Sequence, residues 1–339
     1  MGEIMVSIIC NTYNHEQYIA MAMEGFVNQK TNFEYEVLVH DDASTDNTAK
    51  IIREYVRKYP KLIKPIYQKE NKYSCGVSIC NEYQIPRAQG KYIALCEGDD
   101  YWIDENKLQK QFEILEAHPE IDICAHGAKK INIQNNEIKL ITPAVETCVL
   151  PIESVIRGGG GYLATNSLMY RKNILDNPLP FNKMLCMDYT LQVLGSIRGG
   201  LYYINDIMSI YRNMTPGSWT DTFNKTNNKE KAIEFNEKWG RMLLQLNEDT
   251  SFRFDRIIKK MYLLDMISIH NDRFKNRIIK RDNQETYNDL QVKEKFRVNV
   301  ITYFPWIYRI IKTIKKQLLN CNIKCIKNFK NLYRQRITQ

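Results

Sequence analysis

The chain holds 339 residues, 44% hydrophobic and 26% charged, enough to bury a sizeable core and too ordinary in balance for a disordered or collagen-like polymer. Its net charge of +9 is no nucleic-acid footprint: residues 301–339 carry Arg309, Lys312, Lys315, Lys316, Lys324, Lys327, Lys330, Arg334 and Arg336 without an Asp or Glu, which leaves residues 1–300 near neutral. Nine cysteines lie scattered in apolar contexts, with no paired spacing that closes a tetrahedral metal site, so a disulfide scaffold and a zinc module are excluded in favour of a reducing compartment. The N-terminus lacks a basic leader and no run of about 18 apolar residues occurs, which predicts a cytoplasmic chain without a membrane span.

The first half alternates short β-type runs with segments of helical period, an order that predicts an α/β fold with a mostly parallel sheet flanked by helices. Met5–Cys10 reads as the first strand. His15–Gln29 reads as a helix burying Ile19, Ala22, Met23 and Phe26, with Asn14 as N-cap and Gln17 as its capping-box partner. Tyr35–His40 is the second strand, followed by a polar loop and a helix that ends before Pro60. Leu62–Tyr67, Lys91–Cys96 and Ile121–His126 are further strands, and Leu108, Phe112 and Leu115 mark an amphipathic helix ending near Pro119. Gly158 to Gly161 predicts a mobile loop, because four glycines make regular structure entropically costly. From about residue 224 long helical segments take over, which sets domains at 1–222 and 223–339. In the tail, Ile307, Ile310, Ile311, Ile314 and Leu318 repeat at helical spacing among the basic residues. That amphipathic helix suits either an anionic lipid surface at the inner face of the plasma membrane or the protein's own core.

Three polar segments follow apolar strands. They are Asn11 to Asn14, Asp41 to Asp46, and Glu97-Gly-Asp-Asp100. In a parallel sheet the C-terminal strand ends share one edge, and open α/β sheets bind ligands in the crevice outside that edge. There Tyr13 can face a base, Asp41 can accept hydrogen bonds from base or ribose, and Asp100 can hold a hard divalent cation on a diphosphate; a capped turn is the plainer reading of the same acid pair. The glycine-rich dinucleotide fingerprint is absent, which excludes a nicotinamide or flavin enzyme of that type.

The stretches VSIICNTYN, HDDASTD and EGDDYW together resemble the nucleotide-binding signatures of the family 2, GT-A-fold glycosyltransferases, over about residues 5–220. The resemblance implies that Asn11, Tyr13 and Asp41 hold the base and ribose. It also implies that Asp99 contacts the donor and that Asp100 ligates Mn²⁺ or Mg²⁺. Glu97 stands where Asp is commoner. Cys186-Met-Asp188 resembles the later acidic motif whose Asp is the general base of inverting members; without the resemblance Asp188 reads as a helix N-cap. The segment Tyr211-Arg212-Asn-Met214, with Gly217 and Trp219 beyond it, resembles a Tyr-Arg-x-His stretch. Met214 replaces the His, and a thioether suits a hard cation poorly, so water or Arg212 is left to meet metal or diphosphate. Thr165-Asn166-Ser167 and the glycine loop fall where such enzymes build the acceptor side, or are a plain strand and loop. His15, His40 and His126 lack spaced partners and read as structural.

The implied activity is inverting, metal-dependent transfer of a sugar from a nucleotide-diphosphate donor, UDP-linked, to a glycan or polyprenyl-linked oligosaccharide of cell-surface polysaccharide synthesis. Two alternatives remain at this point. One is a nucleotidyltransferase, although no Gly-rich basic loop follows the first strand; the other is a catalytically silent nucleotide-sugar or glycan-binding protein, favoured by Met214 and opposed by Asp99, Asp100 and Asp188.

Overall fold

The computed structural model describes residues 2–184, 187–218, 221, 229–269, 272–308, 310, 311 and 314. Cys186, Trp219, Leu318 and all nine basic residues of the tail lie outside them. The chain divides into two compact units, Met1–Asn227 and Asn228–Gln339, and each is taken by itself.

The first unit is built on a mixed sheet in the order β3-β2-β1-β4-β9-β6-β10-β5. Its strands are β1 (Ile4–Thr12), β2 (Glu34–Asp41), β3 (Ile63–Tyr67), β4 (Tyr92–Leu95), β5 (Tyr101–Trp102), β6 (Ile123–Asn132), β7 (Glu137–Ile141), β8 (Cys148–Leu150), β9 (Met169–Arg171) and β10 (Leu201–Asn213). β7 pairs with β6, and β8 with β10, off this path. β1 is buried on both faces, with Val6, Ile8 and Cys10 on one side and Ser7 and Ile9 on the other, which places it centrally. It runs parallel to β2 with Thr12 opposite Asp41, and parallel to β4 with Ile9 opposite Leu95. β9 lies antiparallel between β4 and β6, so β4 and β6 point the same way, and β10 runs parallel to β6. The C-terminal ends of β1, β2, β4, β6 and β10 therefore share one edge although the sheet is mixed.

Helices α1 (Ile19–Val27) and α2 (Thr48–Lys58) cover one face. α1 buries Ile19, Ala22, Met23 and Phe26, and Phe26 meets Trp102 edge-to-face with centroids 5.0 Å apart. Burial of such large apolar side chains contributes about 1.5–3 kcal/mol each. The expected cap of α1 is corrected by the structure: the N-cap is Tyr18, four residues beyond Asn14, and it makes no side-chain cap bond. Asn14 instead adopts φ of +54°, a left-handed conformation Asn tolerates, and bonds to the loop after β2. The glycine run is corrected in part, since Gly158 closes helix α4 (Ile152–Gly158) and Gly159 follows at φ of +67°.

A buried polar plug joins these layers. Asn166 donates from Nδ2 to the Ile210 carbonyl at 2.8 Å and accepts from Ser209 Oγ at 2.8 Å, while its own carbonyl accepts Trp102 Nε1–H at 2.8 Å. Beside it on α3 (Lys107–Ala117), fully buried Lys107 places its ammonium 3.9 Å from the Trp102 ring centroid and donates to Gln111 Oε1 at 2.7 Å. Gln111 in turn donates to the Ser167 carbonyl at 2.9 Å. The Thr165–Ser167 segment, β5 and β10 are thereby tied to one another.

The second unit is helical: α6 (Lys229–Asp249), α7 (Asp255–Ile269), α8 (Arg273–Asp282), α9 (Gln284–Asn288) and α10 (Val292–Tyr303), α5 (Met187–Ser196) being in the first unit. Leu263, Ile267, Leu290, Val298 and Ile301 form a core there. Asp272 caps α8 and a Gln291–Glu294 capping box opens α10. Among the described residues no helix is long and apolar enough to cross a membrane.

Asn166→Ala leaves the Ile210 carbonyl and the Ser209 hydroxyl without their buried partner. It is expected to lower stability by about 2–4 kcal/mol, read as a fall in the urea midpoint at constant slope.

Candidate active site

The site assembles from strand ends. Asn11, at the end of β1, donates from Nδ2 to Cys80 Sγ at 3.2 Å and accepts from Gln84 Nε2 at 3.1 Å. Gln84 is buried and also donates to the carbonyls of Cys10 and Leu38, so the π-helical turn Cys80–Gln84 sets the Asn11 side chain. Tyr13, two residues on, is 39% exposed, a large ring left free of the core.

The loop after β2 sorts its acids by their partners. Asp42 accepts the backbone N–H groups of Lys72 and Tyr73 at 2.8 and 2.9 Å, and Asp46 accepts those of Thr48 and Glu16, so both serve the backbone. Asp41 is buried and accepts Ser44 Oγ–H at 2.5 Å; burial pushes its carboxyl above the usual range, and the Ser44 bonds oppose that. Ser44 Oγ also accepts the Asn14 N–H at 2.9 Å, and Asn14 Oδ1 accepts the Thr45 N–H at 2.8 Å, which lashes the first two loops together.

The acidic turn after β4 packs against that lash. A Cβ on Gly98 would stand 2.6 Å from Thr12 Oγ1 and 3.1 Å from His15 Nδ1, so only glycine allows the turn to sit there. Asp100 is fully buried and its Oδ1 accepts the backbone N–H of Arg212 at 2.7 Å. The Arg212 guanidinium donates from Nη1 to the Asp99 carbonyl at 2.5 Å and from Nη2 to Met21 Sδ at 3.1 Å. It also lies over the rings of Tyr18 and Tyr101 at 4.9 and 4.5 Å. Burial and the neighbouring Asp99 carboxylate push Asp100 well above the ordinary carboxyl range, and the same two causes push Glu97 up to about 8. Glu97 and Asp100 are thus penalised as anions, and an added cation relieves the penalty. Hard carboxylate oxygens on Asp99 and Asp100 are the donor set a divalent Mg²⁺ or Mn²⁺ takes, with substrate phosphate completing the shell. Met214, two residues after Arg212, adopts φ of +67°.

Asp188 occupies the first turn of α5 and accepts Thr165 Oγ1–H on Oδ2 at 3.2 Å and the Tyr189 N–H on Oδ1 at 3.2 Å. Burial raises its carboxyl above the ordinary range, while the Thr165 and backbone bonds act in the opposite direction. The Asp188 charge is felt at both Glu97 and Cys80, so it lies near the acidic turn. Tyr189, buried and bonded to the Ile156 carbonyl at 3.0 Å, anchors the helix start.

Residues 7–175 match the family described as glycosyl transferase family 2. This is a family 2 glycosyltransferase. A Mycobacterium tuberculosis protein of uncharacterized role is 35% identical over 218 residues, 64% of this chain and 61% of that one, so the chain spans about three fifths of the curated relatives it matches. The minor teichoic acid biosynthesis protein GgaB of Bacillus subtilis is 37% identical over 122 residues, 35% of this chain and 13% of that one. Among solved structures, Staphylococcus aureus TarS 1–349 in complex with UDP-GlcNAc superposes with a TM-score of 0.57 at 18% identity, covering 86% of this chain and 78% of that one. The likeness is one of fold, the GT-A fold, and the mixed sheet with its shared strand edge belongs to it.

In this glycosyltransferase Asn11 bonds Glu97 at the acidic turn, Arg212 bonds Asp99 and Asp100 there, and the Asp188 charge is felt at Glu97. Sequence reading passes over several residues of this site. His15 packs on Gly98 near the Asp99 charge, burial lowering its imidazole, and Cys80 and Gln84 set Asn11. No spacing signals them, because they reach the site from loops whose course depends on other elements. Of the Thr165–Ser167 segment, Thr165 meets Asp188 while Asn166 and Ser167 are buried in the plug. His40 is held by Gln68 at 3.1 Å and His126 is fully buried and bonds its neighbour's carbonyl, in keeping with structural roles.

The Thr165 bond favours the charged form of Asp188. Thr165→Val is therefore expected to move the Asp188 carboxyl titration to higher pH, followed by ¹³C NMR of labelled aspartate, and a shift to lower pH would contradict the bond.

Proposed function

We propose that this family 2 glycosyltransferase moves a sugar from a nucleotide-diphosphate donor, UDP-linked, onto a glycan or polyprenyl-linked oligosaccharide acceptor, with inversion. The observation that carries the reading is that Asp188 lies close enough to the acidic turn for its charge to be felt at Glu97, where Glu97 and Asp100 are both raised well above ordinary carboxyls. GgaB's naming for teichoic acid biosynthesis supports a cell-surface polysaccharide, and the UDP-GlcNAc complex of TarS, which shares the fold, supports a UDP donor.

In this reading Tyr13 stacks on the base, Asn11 and Asp41 hold base and ribose, and Asp99 meets the donor. Asp100 is the metal ligand. A bound Mn²⁺ or Mg²⁺ supplies positive charge against the departing diphosphate. Arg212 acts through its neighbours: its backbone aims Asp100, and its guanidinium, spent on Asp99, Met21, Tyr18 and Tyr101, holds the turn in place. Asp188 takes the proton from the acceptor hydroxyl as that oxygen attacks the anomeric carbon. The bond from that carbon to the diphosphate oxygen breaks, and the nucleoside diphosphate leaves with the electron pair. A raised Asp188 carboxyl makes a stronger base once ionised, at the cost of needing a higher pH to ionise. The acidic limb of kcat therefore lies above the range of an ordinary aspartate.

Calorimetry of UDP and of GDP, each with and without Mn²⁺, tests the pocket. UDP binding is expected to require Mn²⁺ and to vanish in Asp100→Ala, whereas binding of neither nucleotide would turn the reading toward a silent binding protein. Asp188→Asn is expected to leave UDP binding intact and lower kcat about 10²–10⁴-fold, because the hydroxyl loses its proton acceptor.

A further inference from the structure

Helix α10 leaves one face exposed among the described residues. Val298 and Ile301 point into the core with Leu263 and Ile267, and Glu294 pairs with Lys260 at 2.8 Å. On the opposite side Val292 and Phe296, one helical turn apart, are 83% and 69% exposed. Lys293 and Arg297, each one residue further on, are exposed as well. Beyond the helix, Trp306, Ile310 and Ile314 keep the four-residue spacing and are 60%, 51% and 48% exposed. No Asp or Glu follows Glu294 in the sequence.

An apolar strip of this kind in water forgoes the gain of burial and marks a contact surface. Charge decides what covers it. A second copy would bring an equally basic face against this one, and the chain's own tail is basic throughout, so both are repelled. Lipid with anionic headgroups offers apolar depth for the rings and phosphates for the cations. We propose that the exposed apolar residues Val292 and Phe296 of α10, together with Trp306, Ile310 and Ile314 beyond its end at Tyr303, lie in the interface of an anionic bilayer, with Lys293 and Arg297 at the headgroups. The surface thus begins well before the basic tail, inside a folded helix. It serves the lipid-linked acceptor of the proposed function, and it stands or falls separately from that reading.

The test is co-sedimentation of the full chain with phosphatidylglycerol or phosphatidylcholine vesicles, for the wild type, Val292→Asp/Phe296→Asp and Trp306→Asp/Ile310→Asp. The wild type is expected to partition onto the anionic vesicles at least about tenfold more than onto the neutral ones, and each double variant to lose at least about tenfold of that binding. The replaced side chains are exposed, so melting temperature and Mn²⁺-dependent UDP binding are expected to be unchanged. Wild-type-like binding by both variants, or equal binding to neutral vesicles, would overturn the proposal. So would a wild-type dimer that Phe296→Asp dissociates, since the face would then be a self-interface. Lipid binding without any nucleotide binding would sink the transferase reading and leave this surface standing.

Discussion

Crowded negative charge organises the catalytic unit. Glu97, Asp99 and Asp100 share one turn, two of them with carboxyls pushed far upward by burial and by each other, and such a turn is costly unless something holds it. The backbone N–H of Arg212 bonds Asp100, and the Arg212 guanidinium bonds the Asp99 carbonyl. That contact is possible because β10 runs parallel to β6, so its end arrives at the same edge as the end of β4. Strand direction therefore fixes where the stabilising arginine can be. The remaining electrostatic penalty is what a divalent cation would relieve.

Behind the turn the fold is unusually polar for a core. Asn166, Gln111 and Lys107 are buried and linked by hydrogen bonds to Ser209, Ile210, Trp102 and Ser167. Polar groups in a low-dielectric interior stabilise only when fully paired, so such a plug holds β5, β10 and the Thr165 segment in one arrangement. Lys107 shows the cost: burial pulls its ammonium down to about 7, and the face of Trp102 offsets part of the lost hydration. Thr165, next to Asn166, inherits this rigidity and passes it to Asp188. The Asp188 carboxyl is thus aligned from inside the protein.

The helical unit shows a different economy. Its interior is small and apolar, two of its helices are capped by side chains, and α10 exposes apolar side chains beside Lys293 and Arg297.

The sequence by itself determined the early strands and helices, through their period, and the three polar segments after β1, β2 and β4. Local order was enough, since a strand followed by an acid cluster looks the same in any context. Asn14 shows the limit: it resembles a helix cap in sequence, yet a left-handed backbone and the loop after β2 claim its side chain. β9, three residues long, carries no readable period, although its antiparallel insertion decides which edge β6 and β10 reach. The sorting of Asp41 from Asp42 and Asp46, the use of Gln84 and Cys80 to aim Asn11, and the closeness of Asp188 to Glu97 were decided by tertiary structure alone. Each depends on contacts between residues tens of positions apart, and in one sequence nothing couples such positions until the chain packs.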